Sequence, residues 1–127
     1  MPRDPNIPDA FDAYTLVVLR WPAEPPPFSE QELDDLQRRH LAYRAELGRQ
    51  GVLVVNGPLL RQSDESLRGI SIFACDLEEA RRLSEADPSV RAGRLTFEVM
   101  EWWVRDGSLA FPLADRAVGE RRSMPDD

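Results

Sequence analysis

The chain has no lysine, and among its 127 residues only one cysteine and one histidine. A single thiol, Cys75, excludes an internal disulfide and a thiolate metal cluster. All sixteen basic residues are arginine, set against 23 acidic ones for a formal charge of −7. Residues 14–105 hold twelve Arg and fifteen Asp plus Glu, a net of −3, and the two ends supply the other −4. No basic stripe emerges, which argues against nucleic acid or an anionic membrane as partner. No stretch approaches the ~18 continuous apolar residues of a membrane helix. The opening "MPRDPNIPDAFD" lacks the charged-then-apolar pattern of a secretory signal. The expectation left by these absences is a single soluble, cytoplasmic domain.

What is present divides into short, well-punctuated segments. Residues 1–12 carry three prolines and read as a flexible arm. "AYTLVVLRW" (13–21) is β-branched and aromatic, the composition of a strand, and "PAEPPPF" ends it, since four prolines in seven residues cannot continue a sheet. Ser29 followed by Glu32 is a capping box that opens a helix. Along it Leu33, Leu36, His40, Tyr43 and Leu47 share one face, while Arg38, Arg39, Glu46 and Arg49 fall mostly elsewhere. Gly48 or Gly51 is the expected stop.

A second strand, "GVLVVNGPLL" (51–60), closes at Gly57-Pro58, and a third, "RGISIFAC" (68–75), follows a polar loop. Asp76 and Glu79 open a second helix that Asp87-Pro88 ends or kinks. "RLTFEVMEWWV" (94–104) is the last strand, and residues 106–127 form a tail with a short apolar patch. The order β-α-β-β-α-β predicts a ferredoxin-like α+β domain over 13–105, with a four-stranded antiparallel sheet. Two helices cover one sheet face only, yet "LVVL" and "VLVV" are apolar on both parities. The second face therefore needs a cover. The expected one is the same face of a second copy; the alternative is the tail, through Leu109, Phe111 and Leu113.

Little in this chain can carry chemistry. A histidine on an apolar helix face is ordinarily packed and singly hydrogen-bonded. If His40 instead faces a cavity, imidazole is the side chain suited to moving protons near neutral pH. Such a base needs an orienting acceptor, and Asp87 is the carboxylate to weigh. Locally, Asp87-Pro88 reads as an N-cap and first helical residue of one more turn that closes at Gly93. A carboxylate has acceptor sites enough to cap and to orient a histidine together. Gly57 and Pro58 read first as a turn, and second as a place where a ligand approaches bare backbone. Trp21, before the proline segment, and Ser89, beside Asp87, complete the expected ligand-side set. Trp102 and Trp103 read as packing residues. No metal-ligand cluster, phosphate-cradling loop or nucleophile motif is evident, so no metal and no cofactor is expected.

"HLAYRAELGRQGVLVVNGPLL" followed by "DLEEARRLSEADPSVRAGRL" resembles the YCII-related proteins. The matching residues are His40-Leu41, Gly51, Gly57-Pro58, Glu79-Ala80, Asp87-Pro88 and Gly93, and the likeness spans about residues 14–104. That resemblance implies a homodimeric α+β barrel, related in fold to muconolactone isomerase, and a histidine–aspartate pair that carries over onto His40 and Asp87. Most members have no assigned substrate. One related protein is a dehydrochlorinase of a chlorinated hydroxyhydroquinone, a precedent for cofactor-free acid–base chemistry of the lyase or isomerase kind on a small cyclic compound. The competing expectation is a dimeric module that binds a metabolite or protein without turnover. This chain departs from the short family members by inserting "PAEPPPFSEQELDDLQ" before the histidine and by adding both ends.

Overall fold

Phe11–Arg20 (β1), Glu30–Arg49 (α1), Leu53–Pro58 (β2), Leu67–Phe73 (β3), Leu77–Glu85 (α2), Pro88–Arg91 (α3) and Thr96–Arg105 (β4) follow one another along the chain. They are taken from a computed structural model that describes residues 5–111. The four strands form one sheet in the order β2-β3-β1-β4, with every neighbouring pair antiparallel. This is the ferredoxin-like α+β arrangement that the element order predicts.

Both long helices lie on one face of the sheet. Val17 and Leu19 of β1, Leu53 of β2 and Phe73 of β3 are buried there with Leu47 of α1 and Ala80 of α2. Phe97 and Val99 pair with Leu19 and Val17 across the ladder and complete the packing. Successive strand residues point to opposite faces, so Leu16, Val18, Ile70 and Trp102 stand on the other side. Three apolar residues of that side remain well exposed in the single chain: Val55 at 42%, Ile70 at 37% and Trp102 at 41%. Phe111 meets Tyr14 of this face edge-on at 5.6 Å, so the beginning of the tail reaches it. Leu113 lies outside the described residues.

Element boundaries differ from expectation in two instructive places. β1 starts at Phe11 rather than residue 13, because its first residues pair with the end of β4, Phe11 opposite Arg105. Upstream, Ile7 is buried at 8% exposure, so this part of the N-terminal segment packs on the domain. Gly57 and Pro58 belong to β2 instead of forming a turn, standing opposite Ile70 and Gly69. β2 is an edge strand, where a proline that cannot donate to the ladder is tolerated. A Cβ on Gly69 would lie 3.3 Å from the Gly57 carbonyl oxygen, so the bare Gly69 lets these strands approach closely.

Candidate functional site

The capping box at Ser29 and Glu32 sets the start of α1, and through it the rotation of the helix. The buried residues of α1 are then Leu36, His40, Arg44 and Leu47, spaced by four, four and three. Its ends bury leucine and its middle buries an imidazole and a guanidinium. Burying polar groups costs free energy unless they are paired, so each must have a partner below.

The partner comes from the break between α2 and α3. α2 ends at Glu85, and Asp87 caps the next turn by accepting from the Ser89 backbone N–H at 2.9 Å. Pro88 occupies the first helical position, where its missing N–H is of no consequence. Gly93 closes the turn at φ +82°, a conformation that side chains rarely adopt. This tight geometry presses Asp87 beneath α1 at 1% exposure. His40 Nδ1 lies 2.8 Å from the same Oδ1 that caps α3. An ionised carboxylate only accepts, so Nδ1 is the donor, and a neutral ring then carries its lone pair on Nε2.

Arg44 stands on the other side of the carboxylate, its Nη1 3.5 Å from Asp87 Oδ2. That separation is an ion pair but longer than a hydrogen bond, and Oδ2 is buried without a hydrogen-bond partner. The guanidinium donates from Nη2 to Asn56 Oδ1 and to Ser71 Oγ, both at 3.0 Å, and from Nε to Asn56 at 3.3 Å. Burial pulls its pKa below the ordinary arginine value, with the charge of Asp87 opposing that shift. It nonetheless stays charged, since arginine does not deprotonate in proteins. The centre of the fold thus holds a relay of imidazole, carboxylate and guanidinium, fixed at its far end by β2 and β3.

His40 and Arg44 form one wall of a cavity of about 390 Å³, within the ~300–1,000 Å³ of small-molecule sites. Trp21, Gly57, Pro58 and Ser89 all line the same cavity. Of the expected site residues, these four and His40 line one cavity, and Asp87 lies behind His40 without lining it. Sequence reasoning missed Arg44, Asn56, Arg68 and Arg94, which also line it, and Ser71, which fixes Arg44. For Arg44 a signal was available: it sits one turn beyond His40 on the same face. Arg68 and Arg94 had none, since each stands beside a glycine at the first position of an expected strand, where an arginine reads as a solvated end. Among the described residues, no group of three or more His, Cys, Asp or Glu could hold a metal ion, and no helix is long and apolar enough to cross a membrane.

A family model, the YCII-related domain, matches residues 18–103. No curated protein sequence matches the chain. Among solved structures, the chain is similar to 5-chloro-2-hydroxyhydroquinone dehydrochlorinase from Burkholderia phenoliruptrix AC1100, in complex with 2,5-dihydroxybenzoquinone. The identity is 24% over 69% of this chain and 92% of that one, with a TM-score of 0.49.

Proposed function

The chain belongs to the YCII-related family, and we propose that it is a cofactor-independent acid–base enzyme acting on a small cyclic organic compound. The observation that carries this reading is the pairing of His40 Nδ1 with the buried Asp87 on the wall of a cavity. In the proposed step, His40 Nε2 takes a proton from a carbon or hydroxyl of the substrate. The electron pair released either expels a leaving group, as in a lyase, or is protonated elsewhere by the same imidazole, as in an isomerase. Asp87 holds the required tautomer and stabilises the imidazolium that forms, the role of the carboxylate in other His–Asp pairs. Arg44 lies on the far side of that carboxylate, its Nη1 3.5 Å from Oδ2. Proton transfer of this kind supplies roughly 10²–10⁴-fold of acceleration, so positioning within the cavity must supply the remainder.

The test is turnover of hydroxylated and halogenated ring compounds and lactones by wild type, His40→Ala and Asp87→Asn. The expected outcome is turnover in wild type and a loss of roughly 10²-fold or more in both variants, with His40→Ala still folded by circular dichroism. Asn at 87 keeps an acceptor for the cap while the tautomer is lost, and the same spectrum checks that this chain folds with the Arg44 charge no longer answered. Turnover unchanged in His40→Ala rejects the mechanism, and saturable binding without turnover would establish the binding-module reading instead.

We further propose that the functional unit is a homodimer joined through the open sheet face. Val55, Ile70 and Trp102 support this, being apolar, on one face and well exposed in the isolated chain. A stable contact of this kind buries upward of ~1,200 Å² in total. Sedimentation should give a dimer at micromolar concentration and a monomer for Trp102→Glu. A wild-type monomer would favour the tail as cover.

A further inference from the structure

The cavity is electropositive in an acidic chain. Its lining contains Arg44, Arg68 and Arg94 beside His40, and no aspartate or glutamate, although the chain carries −7. Arg44 is answered directly by Asp87. Arg68 and Arg94 are different: among the described residues neither is ion-paired with a carboxylate. Outside the cavity Arg20, Arg38, Arg49 and Arg82 each lie within 2.6 Å of an acidic oxygen, and of the described arginines with no ion pair to a carboxylate only Arg68 and Arg94 line the cavity. Leaving two guanidiniums uncompensated at one cavity marks a place for an anion supplied from outside.

The two are also held in place. The Arg68 guanidinium lies 3.9 Å from the centroid of the Trp21 ring and that of Arg94 5.5 Å from it. A stacked guanidinium keeps its plane against the ring and its N–H groups at the edge, where an oxyanion can accept from two of them. Two of the Arg68 donors go to the carbonyl oxygens of Leu67 and Glu65, leaving three of five. Trp21 itself is pinned by its backbone N–H to the Ser66 carbonyl at 2.8 Å. Arg94 follows the glycine that closes the Asp87 turn, and its backbone N–H donates to the Ser89 carbonyl at 2.9 Å. Pro26 of the proline-rich insert packs where a Cβ on Gly93 would come within 3.3 Å, so the insert backs this turn. One local structure therefore delivers both the carboxylate that orients His40 and a guanidinium on the cavity wall.

We propose that Arg68 and Arg94, on the Trp21 shelf, form the anion subsite of the cavity, and that the substrate is a small ring compound bearing a carboxylate. The ring would fill the apolar part of the wall, Leu19, Leu41, Pro58 and Leu95. This inference rests on the reading of the cavity as the substrate site, and it deepens that reading by naming the class of compound.

The probes are 3-hydroxybenzoate and its uncharged isostere 3-hydroxybenzamide, titrated calorimetrically into the full chain. Charge-assisted hydrogen bonds predict that wild type prefers the acid by at least ~10-fold. Arg68→Gln and Arg94→Gln should each erode that preference and the double variant abolish it, while amide affinity stays level. His40→Ala should keep the preference, so failure of the catalytic reading and failure of this one give different results. Equal binding of acid and amide, no acid binding at millimolar concentration, or a preference that survives the double variant overturns the proposal. Inorganic phosphate binding as tightly as the ring acid does too, since the ring would then contribute nothing.

Discussion

Arg44 and Arg20 each gather acidic and hydroxyl partners on the sheet, one beneath α1 and one at the rim. Arg20 has the shorter contacts: Glu98 at 2.5 Å, Asp64 at 2.9 Å and Ser66 at 2.9 Å. Arg44 reaches Asp87 at only 3.5 Å. Distance alone would rank the rim network first. Burial reverses that order, because the Arg44 side chain is 4% exposed and that of Arg20 29%. Water can replace any partner that Arg20 loses, whereas a partner lost inside leaves a charge with no solvent to receive it. The pKa directions agree: burial dominates and lowers Arg44, while hydrogen bonds to Asp64 and Glu98 dominate and raise Arg20.

The largest expected effect follows from removing Arg44. Arg44→Met keeps apolar volume but strips Asp87 Oδ2 of its ion pair and leaves Ser71 and Asn56 without their guanidinium. Breaking a buried pair from one side costs about 3–5 kcal/mol, which urea unfolding would read directly. Combining it with Asp87→Asn should cost less than the sum of the two by more than ~0.5 kcal/mol, since both remove the same interaction. An Arg44→Met chain as stable as wild type would erase the contrast between the two networks, because some buried ion pairs are replaceable by packing.

The contrast also explains what could be read in advance. Ser29, Glu32 and Asp76 announce their helix starts because capping is local: an acceptor within three residues of the N–H it satisfies. Asp87-Pro88 announces a turn for the same reason. The pairing of Asp87 with His40 bridges 47 residues, and no local rule reaches that far; it came from the resemblance to a family. Arg44 was hidden differently. The one-face pattern was built from apolar residues and the histidine, and an arginine in that stripe reads as a solvated side chain until its partners on β2 and β3 are known. Gly57-Pro58 misled because turn chemistry and an edge strand use the same dipeptide, and only the strand order separates them.

A middle-sized effect isolates the far end of the buried network. Asn56 accepts from two nitrogens of Arg44, yet it sits on an edge strand at the cavity, where water has access. Hydrogen bonds to charged groups are worth about 1.5–3 kcal/mol when fully enclosed. Asn56→Ala should therefore cost about 1–2 kcal/mol, less than Arg44→Met, because water refills part of the gap. A cost equal to that of Arg44→Met would mean that Asn56, and not Asp87, is the principal partner of the guanidinium.

The smallest effect belongs to the rim and is visible chiefly in acid. Asp64 accepts from the Ser66 hydroxyl at 2.7 Å and its backbone N–H at 3.0 Å, and from Arg20. These contacts lower its pKa from 3.8 to about 2, with the Ser66 hydroxyl the largest cause and Arg20 the next. The unfolded chain binds this proton more readily than the folded one. Its contribution to stability is therefore complete above pH 3.8 and disappears as pH falls through about 2. The stability gap between wild type and Asp64→Asn should be constant near neutral pH and close over that acid window. It should also be smaller than the Asn56→Ala cost, because both partners are solvated and salt screens them. Carboxyl NMR titration separates the causes: Ser66→Ala should move the Asp64 pKa up further than Arg20→Gln does. If Arg20→Gln moves it more, the rim is governed by charge after all, and the two networks differ in burial alone.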